Sequence, residues 1–345
     1  MKIVHLLLSD RFAGSERYAI ELANLQARRH DVTMILSRRA MAPRADALAH
    51  RLAPQVRIEQ VGGWRPFQML DARKILCRIA PDVAHAHRWS ARILDGLQGL
   101  CLRVATLHSR YQSQQHRTLD ALIAVAPWQL PAVPEPLRSR SIQIDNWVQP
   151  QPFDPDARRR LRAVLRLKEN EFLIGTLGRT VRSKGLDMLI EAFLRARPPN
   201  TRLIIVGQGN QWRSLRRQAP PDVIMPGFTD RPQDWYCAFD AFVGTSCDEA
   251  FGVTFLEAMA AGLPILATAS QGARYLAPLI GRGLVPADNP SLLANALAEL
   301  AAERPERCWY KLDGFSIERQ AAQIEAFYQR ELQRLRRREE RLAMH

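Results

Sequence analysis

Two carboxylates on either side of a glycine turn are the residues whose types and spacing point most directly to chemistry. They lie in Asp248-Glu-Ala-Phe-Gly-Val-Thr-Phe-Leu-Glu-Ala-Met-Ala-Ala-Gly-Leu-Pro, with Glu249 before the turn and Glu257 after it. The turn opens a stretch read as a helix, which places the backbone N–H groups of Phe251, Gly252, Val253 and Thr254 at its N-terminus. Such groups have no intrahelical acceptor and sit at the positive end of the helix dipole, an arrangement suited to a phosphate or diphosphate. Glu257 is placed to accept two hydroxyls of a ribose, and Glu249 to reach the hydroxyls of a sugar. Spacing alone leaves another reading open. Thr254 and Glu257 have the S/T-x-x-E spacing of a capping box, in which Glu257 only stabilises the helix. Glu249 is then an exposed loop residue.

A second group is cationic. Gly178-Arg-Thr-Val-Arg-Ser-Lys-Gly carries Arg179 and Lys184 in a loop between an expected strand and an expected helix. Two positive charges there suit the charge that develops on a departing diphosphate. A solvated basic loop is the plainer reading of the same residues.

The elements that must position these groups follow from the apolar pattern. Residues 2–8 form an apolar run of strand length, Glu16 to Arg28 repeats with a helical period, and Asp31 to Leu36 is again a strand. This is a βαβ unit with Gly14 in its first turn. Val83 to His87, Arg103 to Leu107, Ala121 to Val125 and Ile142 to Trp147 read as further strands. Pro150, Pro152 and Pro155 then mark a hinge, followed by a basic helix from Asp156 to Leu167. The alternation restarts with strands at Phe172 to Leu177, Arg202 to Val206, Ala238 to Gly244 and Ile265 to Thr268. Helices are expected at Gly185 to Ala196, through Arg217 and at Val253 to Ala260, with a long one after Asp313 that ends in an Arg/Glu-rich tail. Two successive open α/β sheets are expected: a first domain over 1–148, a second over 149–312, and a C-terminal helix over 313–345 packing back toward the first. Ligands of such sheets bind beyond the C-terminal strand ends, so the two Rossmann-like domains are expected to face each other across a cleft.

Composition narrows the class. The 345 residues are 47% hydrophobic and 24% charged, which is ordinary globular composition and long enough for two cores. Five scattered cysteines, Cys77, Cys101, Cys237, Cys247 and Cys308, contain no C-x-x-C pair, arguing against a disulfide framework or a zinc site. A cytoplasmic location fits, because the apolar start is broken by His5, Asp10 and Arg11, and no run approaches the roughly 20 apolar residues of a membrane span. The net charge is +14, and residues 1–150 hold 21 basic against 12 acidic side chains. Either an anionic partner such as an acidic membrane face, or a compositional preference for arginine, accounts for this excess.

The carboxylate segment resembles the signature of the family 4 retaining glycosyltransferases, which have the GT-B architecture. Glu249, Phe251, Gly252, Glu257, Ala258, Met259, Gly262 and Pro264 all match it. In that family the Arg and Lys of the upstream loop hold the donor diphosphate, a role the resemblance gives to Arg179 and Lys184. Gly14-Ser-Glu-Arg is similar to the family's glycine-rich first turn, although Ala13-Gly14 stands where the family has Gly-Gly. Val83-Ala-His-Ala-His and Thr106-Leu-His-Ser resemble later strand ends, which implies active-site roles for His108, contacting the donor sugar, and for His87. Ile144-Asp-Asn-Trp-Val is similar to the family's hinge without its Pro or Gly. Residues 40–80 match nothing in the pattern.

The resemblance implies a retaining transferase for cell-envelope glycans that uses a nucleotide sugar, UDP-linked by expectation, and a saccharide or glycolipid acceptor. It implies no metal and no further cofactor; no D-x-D motif of the usual kind stands in a suitable loop. Peripheral attachment to the inner face of the cytoplasmic membrane is a further expectation, from the basic first half and Arg336, Arg337, Arg338 and Arg341. Three rival readings stand beside this one. A nucleic-acid-binding protein lacks any supporting motif. An NAD enzyme is suggested by Gly207-Gln-Gly209, but Arg213 stands where the third glycine of that fingerprint belongs. Another GT-B enzyme, an epimerase or phosphorylase, shares the donor site.

Overall fold

Apolar runs buried on both faces become parallel strands, and the computed structural model, which describes residues 1–343, contains two sheets built from them. The chain divides into two compact units, Met1–Asn146 joined by the C-terminal helix Ile317–Ala343, and Trp147–Ser316.

The first unit holds strands β1 (Lys2–Leu7), β2 (Asp31–Ser37), β3 (Arg57–Val61), β4 (Val83–His87), β5 (Leu102–Leu107), β6 (Ala121–Ala124) and β7 (Ser141–Gln143). All neighbours pair in parallel in the order β3-β2-β1-β4-β5-β6-β7. Helices α1 (Gly14–Gln26), α2 (Arg65–Ile79) and α3 (Ser113–His116) belong to the same unit. The C-terminal helix adds Ile317, Ala321, Ile324, Phe327 and Tyr328 to its buried side chains. The strand order reverses between β1 and β4. Gly14 follows the C-terminal end of the first, and His87 ends the second.

The second unit runs α4 (Pro155–Val164), β8 (Phe172–Leu177), α5 (Leu186–Ala196), β9 (Thr201–Val206), α6 (Trp212–Gln218), β10 (Val223–Gly227) and α7 (Pro232–Ala238). It continues with β11 (Ala241–Gly244), α8 (Val253–Ala260), β12 (Ile265–Ala267), α9 (Gln271–Ile280) and α10 (Pro290–Glu303). Its five parallel strands take the order β10-β9-β8-β11-β12, so the reversal falls between β8 and β11. The loops that follow these two strands carry Arg179, Lys184 and Glu249.

Two expected strands need correction. Residues 142–147 were read as one strand, whereas β7 ends at Gln143. Residues 238–244 were read as another, but β11 begins only at Ala241. Buried Tyr236, Cys237 and Ala238 continue the apolar run of β11, yet they close α7, with Pro232 at its first position. The carbonyls of Cys237 and Phe239 at that helix end each accept bonds from both Arg158 and Arg307. Cations at a helix C-terminus stabilise it. No helix among the described residues is long and apolar enough to cross a membrane.

One ion pair ties β5 to the approach to β6. Arg103 gives Nε and Nη2 to the two oxygens of Asp120, each at 2.9 Å, and its backbone N–H meets the same carboxylate at 3.0 Å. Arg103 is only 3% exposed, so losing the carboxylate strands a buried charge. Asp120→Ala is expected to lower unfolding stability by about 3 kcal/mol. Denaturant titration of the variant checks this, and an unchanged midpoint would contradict it.

Candidate functional site

The switch point of the second sheet gathers the cationic loop and the first carboxylate. Lys184 and Glu249 form an ion pair, both side chains about one-fifth exposed. Their loops are laced together: Thr245 donates its hydroxyl to the Lys184 carbonyl at 2.9 Å, and the Cys247 N–H reaches the Ser183 carbonyl at 3.0 Å. Arg179 is exposed and makes no ion pair among the described residues.

The loop bearing Arg179 is held from below by the turn after β9. Gly178 N–H bonds the Val206 carbonyl at 3.0 Å, and Thr180 N–H the Gln208 carbonyl at 3.1 Å. At this approach a Cβ on Gly207 would stand 1.8 Å from the Gly178 oxygen, and one on Gly209 2.3 Å from the Thr180 oxygen. Gly207-Gln-Gly209 therefore has a packing reason inside this chain: it lets two loop backbones touch.

The second carboxylate sits beyond a left-handed turn. Gly252 has φ 95° and caps α8, and Thr254 lies inside the helix without a capping bond. The capping-box reading of Glu257 is thus corrected, since Gly252 and not Thr254 is the cap. Half-buried Glu257 instead accepts the Tyr236 hydroxyl at 2.6 Å. Phe251 is buried beneath the turn, whose start is pinned by the Gly272 N–H on the Glu249 carbonyl at 2.9 Å. Among the described residues, no acceptor meets the N–H groups of Phe251, Gly252, Val253 or Thr254. This helix start can hold an anion without breaking any bond of the chain.

The remaining expected residues belong to the first unit. Gly14 has no chain atom within 4 Å of where its Cβ would be, so nothing in the protein itself requires glycine there. Next to it, Arg88 pairs with buried Glu16 at 3.1 Å and bonds Ser15 at 3.2 Å. His87 and His108 are joined at 3.2 Å, and His87 meets His5 at 3.1 Å. His5 reaches Gln26 at 2.8 Å. His85 bonds Thr106 at 2.8 Å and Tyr328 at 2.6 Å.

Burial lowers the pKa of His5 to about 4 and that of His108 to about 3, where Arg88 contributes as well. His85 and His87 are held well below the usual imidazole value, chiefly by burial and then by their neighbouring histidines. All four rings are neutral at pH 7. His5, His85 and His87 offer ligand atoms within 4.8 Å of one another. Each of their six ring nitrogens already has a hydrogen-bond partner, so a cation enters only by displacing those bonds.

Sequence reasoning missed His5, His85, Gln26 and Tyr236. A signal for the histidines was present. His85 and His87 alternate on one face of β4, and His5 stands opposite His85 across the β1–β4 pair.

The model for Glycosyltransferase Family 4 matches residues 12–141, and that for Glycosyl transferases group 1 matches residues 171–303. A Mycolicibacterium smegmatis protein named GDP-mannose-dependent alpha-(1-6)-phosphatidylinositol monomannoside mannosyltransferase is 30% identical over 293 residues, 77% of this chain and 72% of that one. The lipopolysaccharide core biosynthesis mannosyltransferase LpsB of Rhizobium meliloti is 28% identical over 203 residues, 52% of this chain. The chain spans 56% of that relative's length. Among solved structures, Anabaena Alr3699/HepE in complex with UDP-glucose superposes with a TM-score of 0.74 at 21% identity, covering 97% of this chain and 99% of that one. The likeness is one of fold, GT-B with its two Rossmann-like units. With both halves matched and the signature residues gathered at a helix start, the chain belongs to the family 4 glycosyltransferases.

Proposed function

We propose that the protein transfers a sugar, with retention of configuration and without a metal ion, from a nucleoside diphosphate sugar to a saccharide or glycolipid acceptor of the cell envelope. The observation that carries this reading is the start of α8, where four backbone N–H groups lack acceptors among the described residues, close in the chain to Glu249 with its Lys184 partner and to Glu257. The donor's diphosphate oxygens take those N–H groups and the charges of Arg179 and Lys184. An ammonium has three protons, so Lys184 can keep Glu249 and still reach a phosphate oxygen. Glu257, steadied by Tyr236, takes the ribose hydroxyls, and Glu249 a hydroxyl of the sugar. Gly14, His87 and His108 line the first unit's contribution, and the unfilled space over Gly14 leaves room for a ligand to approach the backbone.

In the transfer the bond from the anomeric carbon to the diphosphate oxygen breaks first, leaving oxocarbenium character on the sugar. The acceptor hydroxyl bonds to that carbon from the same face, and its proton passes to the leaving phosphate oxygen. The fixed cations and N–H dipoles stabilise the developing negative charge. UDP is the nucleotide we assign, and GDP is the alternative raised by the GDP-mannose-dependent relative.

We also assign peripheral attachment to an anionic membrane, which would bring the enzyme to a lipid-linked acceptor. Trp64, Phe67 and Leu70 stand 81%, 61% and 52% exposed at the start of α2, near exposed Lys74. Arg336, Arg337, Arg338 and Arg341 are exposed along the C-terminal helix. Apolar side chains enter the interface while basic ones meet acidic head groups.

Three outcomes test this reading. Arg179→Ala and Lys184→Ala are each expected to cut turnover of a nucleotide-sugar donor by roughly 100-fold or more; near-normal rates in both would contradict it. A thermal-shift series with UDP, GDP, ADP and their sugars should raise the melting temperature with UDP or its sugar, and a response confined to GDP would replace UDP by GDP. In vesicle co-sedimentation, the protein should prefer acidic over neutral lipids, and the pair Trp64→Ser with Phe67→Ser should weaken that binding several-fold. Equal binding to both lipids removes the membrane assignment.

A further inference from the structure

The histidines of the first unit form a line, and a line of neutral imidazoles has a direction. Each ring carries one N–H and one lone pair, so the partner at one end dictates the tautomer of every ring along it. Here the line runs from Gln26 Oε1 to His5 Nε2 at 2.8 Å, from His5 Nδ1 to His87 Nε2 at 3.1 Å, and from His87 Nδ1 to His108 Nε2 at 3.2 Å. Gln26, His5 and His87 are fully or almost fully buried, and His108 is half-buried with no partner for its Nδ1 among the described residues.

We propose that Gln26, His5 and His87 are positioning residues that lock His108 in its Nε2–H tautomer, so that its Nδ1 presents a lone pair and accepts a hydrogen bond from a sugar hydroxyl. An amide oxygen can only accept, so His5 must carry its hydrogen on Nε2 and leave Nδ1 open. His87 then donates from Nε2 and accepts at Nδ1, and His108 does the same. A second set of bonds runs beside this line through His85. Thr106 Oγ1 stands 2.8 Å from His85 Nε2 and 3.5 Å from the Tyr18 hydroxyl. His85 Nδ1 meets the Tyr328 hydroxyl at 2.6 Å. Among the described residues Gln26 Nε2 has no hydrogen-bond partner, so the bond from Oε1 to His5 is the amide's one link to the line. Were the amide reversed, every ring would reverse, and His108 would present an N–H in place of a lone pair.

The inference rests on the reading of His108 as a sugar-contacting residue, but the tautomer is a property of the free protein and is measured without ligand. The experiment is long-range proton–nitrogen correlation on the full chain with nitrogen-15-labelled histidine at pH 7, with His108 assigned through His108→Gln. His108 is expected to show a protonated Nε2 and a bare Nδ1. Gln26→Met, and His5→Phe one step nearer, are expected to give His108 a mixture of tautomers. Both should lower kcat about tenfold while the thermal shift caused by the nucleoside diphosphate stays unchanged. A protonated Nδ1 on His108 in the unaltered protein overturns the proposal, whatever the variants do. So does a single unchanged tautomer in folded Gln26→Met. A failure of any nucleotide to bind would instead sink the functional reading and leave the tautomer result standing.

Discussion

A helix cannot satisfy the N–H groups of its own first turn. At α8 this constraint is left open: the cap is Gly252, which has no side chain to offer, and Thr254 stands too far inside to help. Among the described residues four donors meet no acceptor there, at a place where a sheet reverses its strand order. An anion is the species that completes such a helix start, and the positive dipole end and Lys184 draw it to the same spot. The ordering of the surrounding loops follows from this need for a fixed, open donor set.

What keeps the set fixed is backbone contact more than side-chain packing. Gly207 and Gly209 allow the turn after β9 to lie directly against Gly178 and Thr180, so the loop that carries Arg179 rests on main chain. Lys184 is held by its carbonyl through Thr245 as well as by its ammonium through Glu249. Loops clamped this way cost little reorganisation when charge develops, which is the condition for electrostatic stabilisation of a leaving group. The first unit makes a different provision. Its His85 and His87 are buried and neutral, so they contribute directed hydrogen bonds without adding charge.

Much of this could be read from the sequence, for a physical reason. Strands β1, β4, β8 and β9 are buried on both faces and appear as short, mostly apolar runs, with His5, His85 and His87 the polar members of the first two. The α8 segment announces itself by glycine, two glutamates and a small-residue helix. Edge strand β3, with Arg57, Ile58, Glu59 and Gln60 only partly covered, has no such run and went unread. Helix α2 was hidden because Trp64, Phe67 and Leu70 put large apolar groups on an exposed face, which blurs the helical period. At α7 the apolar end runs on toward β11, so the expected strand starts too early, at Ala238, the last residue of the helix. Partners drawn from distant segments, such as Tyr236 on Glu257 or Tyr328 on His85, depend on tertiary approach that no local pattern encodes.

The account turns on where a diphosphate binds, and a crystal structure of the full chain soaked with UDP or GDP would measure that directly. Phosphate oxygens are expected about 3 Å from the backbone nitrogens of Val253 and Thr254, with the Lys184 ammonium on the same group. Electron density for the diphosphate elsewhere, with water on those nitrogens, would contradict the account.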